Sequence, residues 1–203
     1  MKAECDSKIR LLATARELIW RSSYGSVSVD DICEKANVKK GSFYYFFKSK
    51  AELAVAASEA YWNEELKPKL DKAFAPDVPP LERLERYFSA IEENQTARKK
   101  ECGHVLGCPF ASIGAELSTQ DESIRSKSAE ISLRCRRYLE GAIGDAQKEG
   151  LVSPGDCSAK AEELLSYTMG VLFQARINNS LEPLRHLKTG GMRIIGARAE
   201  AAV

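Results

Sequence analysis

Residues 28–50 read S-V-D-D-I-C-E-K-A-N-V-K-K-G-S-F-Y-Y-F-F-K-S-K, and few folds accept that string. Ser28 can cap a helix whose buried stripe is Val29, Ile32, Cys33 and Ala36, since its hydroxyl satisfies an otherwise free helix-start amide. Asn37 tolerates the left-handed backbone that a sharp helix-to-helix turn needs, and Val38 plugs the angle between the two helices. The second helix is short and carries Lys39, Lys40, Gly41, Ser42, Tyr44 and Tyr45, with Lys48 and Lys50 just beyond it. Cations and hydroxyls of this kind hold phosphates and touch base edges, and Gly41 lets the backbone come close, so the pair suits a DNA groove.

A plainer reading has Phe43, Tyr44, Phe46 and Phe47 simply packing in a three-helix core with the lysines solvated. The charge distribution opposes it. Residues 1–50 hold ten Lys and Arg against six Asp and Glu, a net of +4, which leaves 20 minus 23, or −3, for the remaining 153. The overall +1 hides a basic end joined to a mildly acidic body, one part suited to a polyanion and one to something else.

The segment resembles the helix-turn-helix of the TetR family of one-component transcriptional repressors. The resemblance is carried by Tyr24-Gly25, Ser28, Ile32, Ala36-Asn37-Val38, Gly41-Ser42-Phe43-Tyr44-Tyr45-Phe46 and Ser49-Lys50, about the first quarter of the chain. It implies that Lys40, Gly41, Ser42 and Tyr45 face bases while Ser28, Tyr44 and Lys50 hold phosphates, with Lys39 an added cation. Asn37 stands where the family usually has a turn glycine, and Phe46 has no evident role at the DNA.

The rest of the chain reads as helix. At 203 residues, 44% hydrophobic and 29% charged, it has room for a DNA-binding domain over residues 1–50 and a larger domain over 51–203. The expected class is all-α. Helices are expected over residues 6–22, 50–70, 81–97 and 110–117, with residues 98–101 a polar connection. Two apolar stripes follow, one from Ile131 to Ala146 and one from Ala161 to Phe173. A last helix starts near Leu181 or Pro183 and is interrupted by Gly190-Gly191 and Gly196. No apolar run approaches the roughly 18–20 residues of a membrane span, and residues 1–12 lack a secretory pattern. Six widely spaced cysteines, Cys5, Cys33, Cys102, Cys108, Cys135 and Cys157, suit a reducing interior, so a cytoplasmic location without membrane attachment is expected.

For the helical body the family resemblance implies dimerisation through the last two long helices and a small-molecule effector that releases DNA. Reading DNA argues for the dimer too, because two readers about 34–36 Å apart match a palindromic operator where one reads too few bases. Candidate effector contacts are Trp62, Phe88, His104, Cys108, Phe110, Tyr138, Tyr167 and Phe173, bulky or polar-tipped residues on the body's helices, for an uncharged or weakly polar ligand. An alternative trigger is a thiol: Cys108 precedes Pro109, which suits a first helical position. An N-terminal helix end favours thiolate, with Cys102 a possible partner. The plainer reading of both cysteines is small buried hydrophobes.

No cofactor, metal site or catalytic residue is expected. There are only two histidines, His104 and His186, and no glycine loop that would cradle a phosphate. Two thiols and one histidine around residue 104 lack a fourth zinc ligand at recognisable spacing.

Overall fold

The computed structural model describes residues 2–198, with side chains from residue 6 onward; Cys5 therefore lies outside the described side chains. In chain order the helices are α1 (Lys2–Arg21), α2 (Val29–Ala36), α3 (Lys40–Phe46), α4 (Lys50–Tyr61), α5 (Lys67–Ala73), α6 (Pro80–Cys102), α7 (Pro109–Leu117), α8 (Glu122–Lys148), α9 (Cys157–Ile177) and α10 (Leu187–Ile195). A π-helical turn, Trp62–Leu66, joins α4 to α5, and a 3₁₀ turn, Glu182–His186, leads into α10. No β-strand occurs among the described residues, so the all-α class holds; one isolated bridge pairs Val152 with Ala197. No helix among them is long and apolar enough to cross a membrane.

The chain divides into two compact units. The first runs to Leu66 and takes in Pro109–Ile131; the second is Lys67–Cys108 with the chain from Ser132 on. The first unit thus extends past Lys50 and recruits a helix from the middle of the sequence. Its reader is built on Leu11, Ala15, Ile32, Phe43, Phe47 and Leu53, each at most 3% exposed. A second cluster joins Ala54 of α4 to Ile113 and Leu117 of α7 and Ile124 of α8. At about 1.5–3 kcal/mol per fully buried large apolar side chain, these layers hold the reader's helices in one arrangement.

In the second unit the α8 stripe is buried at Leu139, Ala142, Ile143 and Ala146. Arg83, 9% exposed, donates to the carbonyls of Val78 and Pro76 and to Asp145 Oδ2 at 2.8 Å, closing the loop before α6 onto α8.

Several expected boundaries move. Residues 98–101 are the last turn of α6, not a connection: Arg98 pairs with Glu101 at 3.2 Å, and Gly103 at φ 79° ends the helix. The expected 50–70 helix is interrupted by the π turn and reaches Ala73. Gly190 and Gly191 do not interrupt α10 but lie inside it, because a Cβ at Gly191 would stand 2.4 Å from Phe88 and one at Gly190 would stand closer still to the Tyr167 hydroxyl. They are sites of close helix approach, and Gly196, at φ 70°, is the terminator.

Candidate nucleic-acid interface

The helix-turn-helix forms as its sequence dictates. Ser28 caps α2 in a capping box: its Oγ accepts from Asp31 N at 3.0 Å while Asp31 Oδ2 accepts from Ser28 N at 2.7 Å. The Ser28 side chain and amide, donating to the Asp31 carboxylate, hold its pKa below the usual range. Asn37 is left-handed, at φ 50° and ψ 51°, and Val38 N closes the turn on Cys33 O. Arg10 of α1 adds a clamp that the sequence did not reveal, donating through Nη1 to the carbonyls of Ala36 and Asn37 at the end of α2.

On this base α3 has two faces. Phe43 and Phe47 are buried and half-buried Phe46 packs on the same core, so Phe46 is structural; Tyr44 meets the edge of Phe43. The opposite face carries Lys40, Gly41, Tyr44 and Tyr45, with Tyr45 74% exposed; Lys39 is exposed and Ser42 half-buried beside them. Nothing lies within 4 Å of where a Gly41 Cβ would be. The packing alternative therefore describes one side of α3, and the residues expected at DNA occupy the other.

Three of the expected contacts are already engaged. Lys40 Nζ pairs with Asp30 Oδ1 at 2.7 Å, which raises the lysine's pKa. The Ser28 hydroxyl donates to Asp31. Lys50 Nζ donates to the carbonyls of Tyr24 and Val27, both at 2.8 Å, and sits 3.9 Å from the Tyr24 ring centroid. Half-burial pushes the Lys50 pKa down. An ammonium has three donors, so Lys50 keeps one beyond these two. The same turn is held from α7: Glu116 Oε2 accepts from Tyr24 N at 2.9 Å and Oε1 from Gly25 N at 2.7 Å. Burial, with the nearby Asp121 and Glu116 charges, raises the Tyr24 pKa.

The expected effector residues are drawn from both units. Trp62 and Phe110 belong to the first unit and the other six to the second. Phe110 lines a small cavity of about 30 Å³ with Arg16, Ile19, Ala54, Ser58, Tyr61 and Ile113. Trp62 and Phe88 are buried core residues, whereas His104 and Phe173 are exposed. Tyr138 donates to Asp71 Oδ1 at 2.5 Å and has its pKa raised to about 12, first by burial and then by that carboxylate; Tyr167 donates to His186 O.

Neither Cys102 nor Cys108 forms a disulfide among the described residues. Cys102 Sγ turns back to Arg98 O at 3.1 Å, while Cys108 packs on the cluster of Val105, Leu172, Ala175 and Leu184. Burial pushes the Cys135 thiol up to about 12, with the neighbouring Cys108 adding to the shift. Among the described residues no three His, Cys, Asp or Glu side chains gather as metal ligands.

Residues 11–57 match the family model for bacterial regulatory proteins of the tetR family, and residues 80–190 match that for the tetracyclin repressor-like C-terminal domain. Transcriptional regulator AcuR of Cereibacter sphaeroides is 31% identical over 86% of this chain and 78% of its own. The HTH-type transcriptional repressor NemR of Escherichia coli is 25% identical over 97% of each chain. The reduced form of E. coli NemR superposes with a TM-score of 0.83 over 96% of this chain and 99% of that one. A regulatory protein TetR from Rhodobacter sphaeroides, 28% identical, gives 0.82 over 91% and 96%.

Proposed function

The chain belongs to the TetR family of bacterial regulatory proteins and is a DNA-binding transcriptional regulator; from that premise we propose that it is a homodimeric repressor of a palindromic operator, released when a small molecule binds its helical body. The observation that carries the reading is the exposed face of α3, where Gly41 and Tyr45 stand clear of the protein and Lys40 lies exposed beside Asp30, on a buried phenylalanine base. In this reading Lys40, Gly41, Ser42 and Tyr45 read bases, and Ser28, Lys39, Tyr44 and Lys50 hold phosphates. NemR, a named repressor, supports the sign of regulation. The effector site is proposed in the second unit around Phe88, Tyr138 and Tyr167. Linkage of about 1–3 kcal/mol between effector and DNA weakens operator binding about 5- to 150-fold.

A second reading, a thiol trigger at Cys108, is favoured by one observation: Cys108 lies near enough to Cys135 to act on its titration, so two thiols from different helical regions are neighbours. Cys102, turned onto its own helix, is less suited than the sequence suggested.

The test is a titration on DNA from beside the protein's own gene and on scrambled DNA, at several salt concentrations, with and without oxidant. Tight, salt-dependent preference for the first DNA is expected, and Tyr45→Ala should shrink that preference without unfolding the protein. Equal weak binding to both DNAs would count against the regulator reading at that site. Oxidant release that survives Cys108→Ser would end the thiol reading.

A further inference from the structure

We propose that Glu116 is a positioning residue for DNA reading: α7 sets the angle at which α2 meets the phosphate backbone by gripping the turn that precedes it. This rests on the regulator reading above and adds a residue that touches no DNA.

The turn between α1 and α2 exposes two consecutive amides, Tyr24 N and Gly25 N, and both go to one carboxylate, at 2.9 and 2.7 Å. The carbonyl edge of the same turn, Tyr24 O and Val27 O, is held by Lys50 Nζ, both at 2.8 Å. Ser28, the next residue, starts α2. Four hydrogen bonds to charged groups thus fix a short stretch that secondary structure would leave free, and such bonds are roughly twice as strong as neutral ones. Loss of either Lys50 or Glu116 removes two of these four bonds from the segment that aims the α2 N-terminus. The helix that carries Glu116 is anchored on the same unit by Ile113 and Leu117, so a shift of α7 moves the carboxylate with it. Pro109, which opens α7, follows Cys108 directly in the chain.

The proposal predicts a sign. Glu116 is an anion bonded to a turn of the basic segment 1–50, so neutralising it should tighten DNA binding if charge alone mattered. If it positions the turn, neutralising it should weaken binding. Gln supplies only one acceptor, and its NH₂ faces one of the two amide donors. Gly25→Ala attacks the same contact without changing charge: Gly25 is not left-handed, and an added Cβ would stand 3.2 Å from Glu116 Oε1.

The experiment uses full-length protein and the duplex that the wild type enriches from a random-sequence pool. Thermal melting and a stoichiometric titration establish folding and active fraction for each variant. Glu116→Gln and Gly25→Ala are expected to weaken binding by about tenfold, a shift of ~1.4 kcal/mol, with the salt slope unchanged because no phosphate contact is lost. Glu122→Gln, an exposed acid of the same unit that pairs only with its neighbours, should bind as well as the wild type or more tightly. Unchanged or tighter binding by both test variants, at full active fraction, overturns the proposal. If the wild type enriches no sequence, the regulator reading falls and the inference with it; if it does and the variants match it, only the inference falls. Should one variant fail to fold, the other decides.

Discussion

At the level of single residues, the reading face is held in reserve by its own acids. Lys40 is paired with Asp30, and both side chains are more than half exposed. A pair this exposed contributes little to stability and is screened by salt, yet in the proposed reading it must open before Lys40 meets a base. Asp30→Asn is expected to tighten DNA binding about threefold at low salt, with the gain fading as salt passes ~0.15 M. A titration of both proteins at three salt concentrations checks it, and looser binding by the variant would remove Asp30 as a competitor. Asp31 behaves differently, because its carboxylate is built into the α2 cap. Its pKa is depressed in the folded state, so the stability it contributes is present above the ordinary carboxylate range of ~4. That contribution is lost as pH falls through the depressed value. Melting temperatures of the wild type and Asp31→Asn should differ at neutral pH and converge in acid. A gap that stays constant down to acid would mean the cap does not depend on the charged carboxylate.

At the level of elements, the glycines of two helices face opposite demands. Gly41 in α3 has open space where a Cβ would go, so Gly41→Ala should leave the fold intact and stabilise it by up to about 1 kcal/mol through helix propensity. In the proposed reading it should nevertheless weaken operator binding, because the methyl would stand between helix and base. Gly191 in α10 is the reverse: its Cβ would be 2.4 Å from Phe88 and 3.0 Å from Leu164. Gly191→Ala is expected to cost about 1–3 kcal/mol, measured as a lower denaturation midpoint with the DNA-reading residues untouched. The contrast also marks what the sequence made legible. The helix-turn-helix could be read because its signals are local: a capping serine with its acid at N3, a left-handed Asn37, and phenylalanines spaced to one side of α3. Gly190 and Gly191 looked like helix breakers because the residues they accommodate, Tyr167 and Phe88, are far along the chain. Glu116 was invisible for the same reason, lying 91 residues from Gly25, and the π turn at Trp62–Leu66 has no sequence pattern that separates it from α-helix. Effector contacts were the least legible, because bulk and a polar tip describe a core tyrosine as well as a ligand contact.

For the whole molecule, the remaining question is which surface joins two copies. The sequence stripe along α9 was wide enough to serve both core and interface, and the fold divides it. Ala161, Leu164, Leu165, Thr168, Leu172 and Ala175 are buried within the chain. Ser166, Gly170, Phe173 and Ile177, spaced by four, three and four residues, are exposed, with Ile177 70% accessible. On α8 the exposed positions Leu133, Arg137 and Gly141 repeat every four residues. Neither Gly141 nor Gly170 has any atom within 4 Å of a Cβ position, so another helix could come close at both. Large apolar side chains beside small residues on two long helices suit a self-complementary helical interface. Because Phe173 and Ile177 contribute little to the chain's own core, Ile177→Asp should leave helix content and melting of the monomer nearly unchanged while removing the dimer, as read by sedimentation. Operator binding should then fall by far more than any single DNA contact accounts for, since each reader would bind its half-site alone. A variant that stays dimeric and binds normally would place the two-fold contact on another face and make Phe173 an ordinary exposed residue.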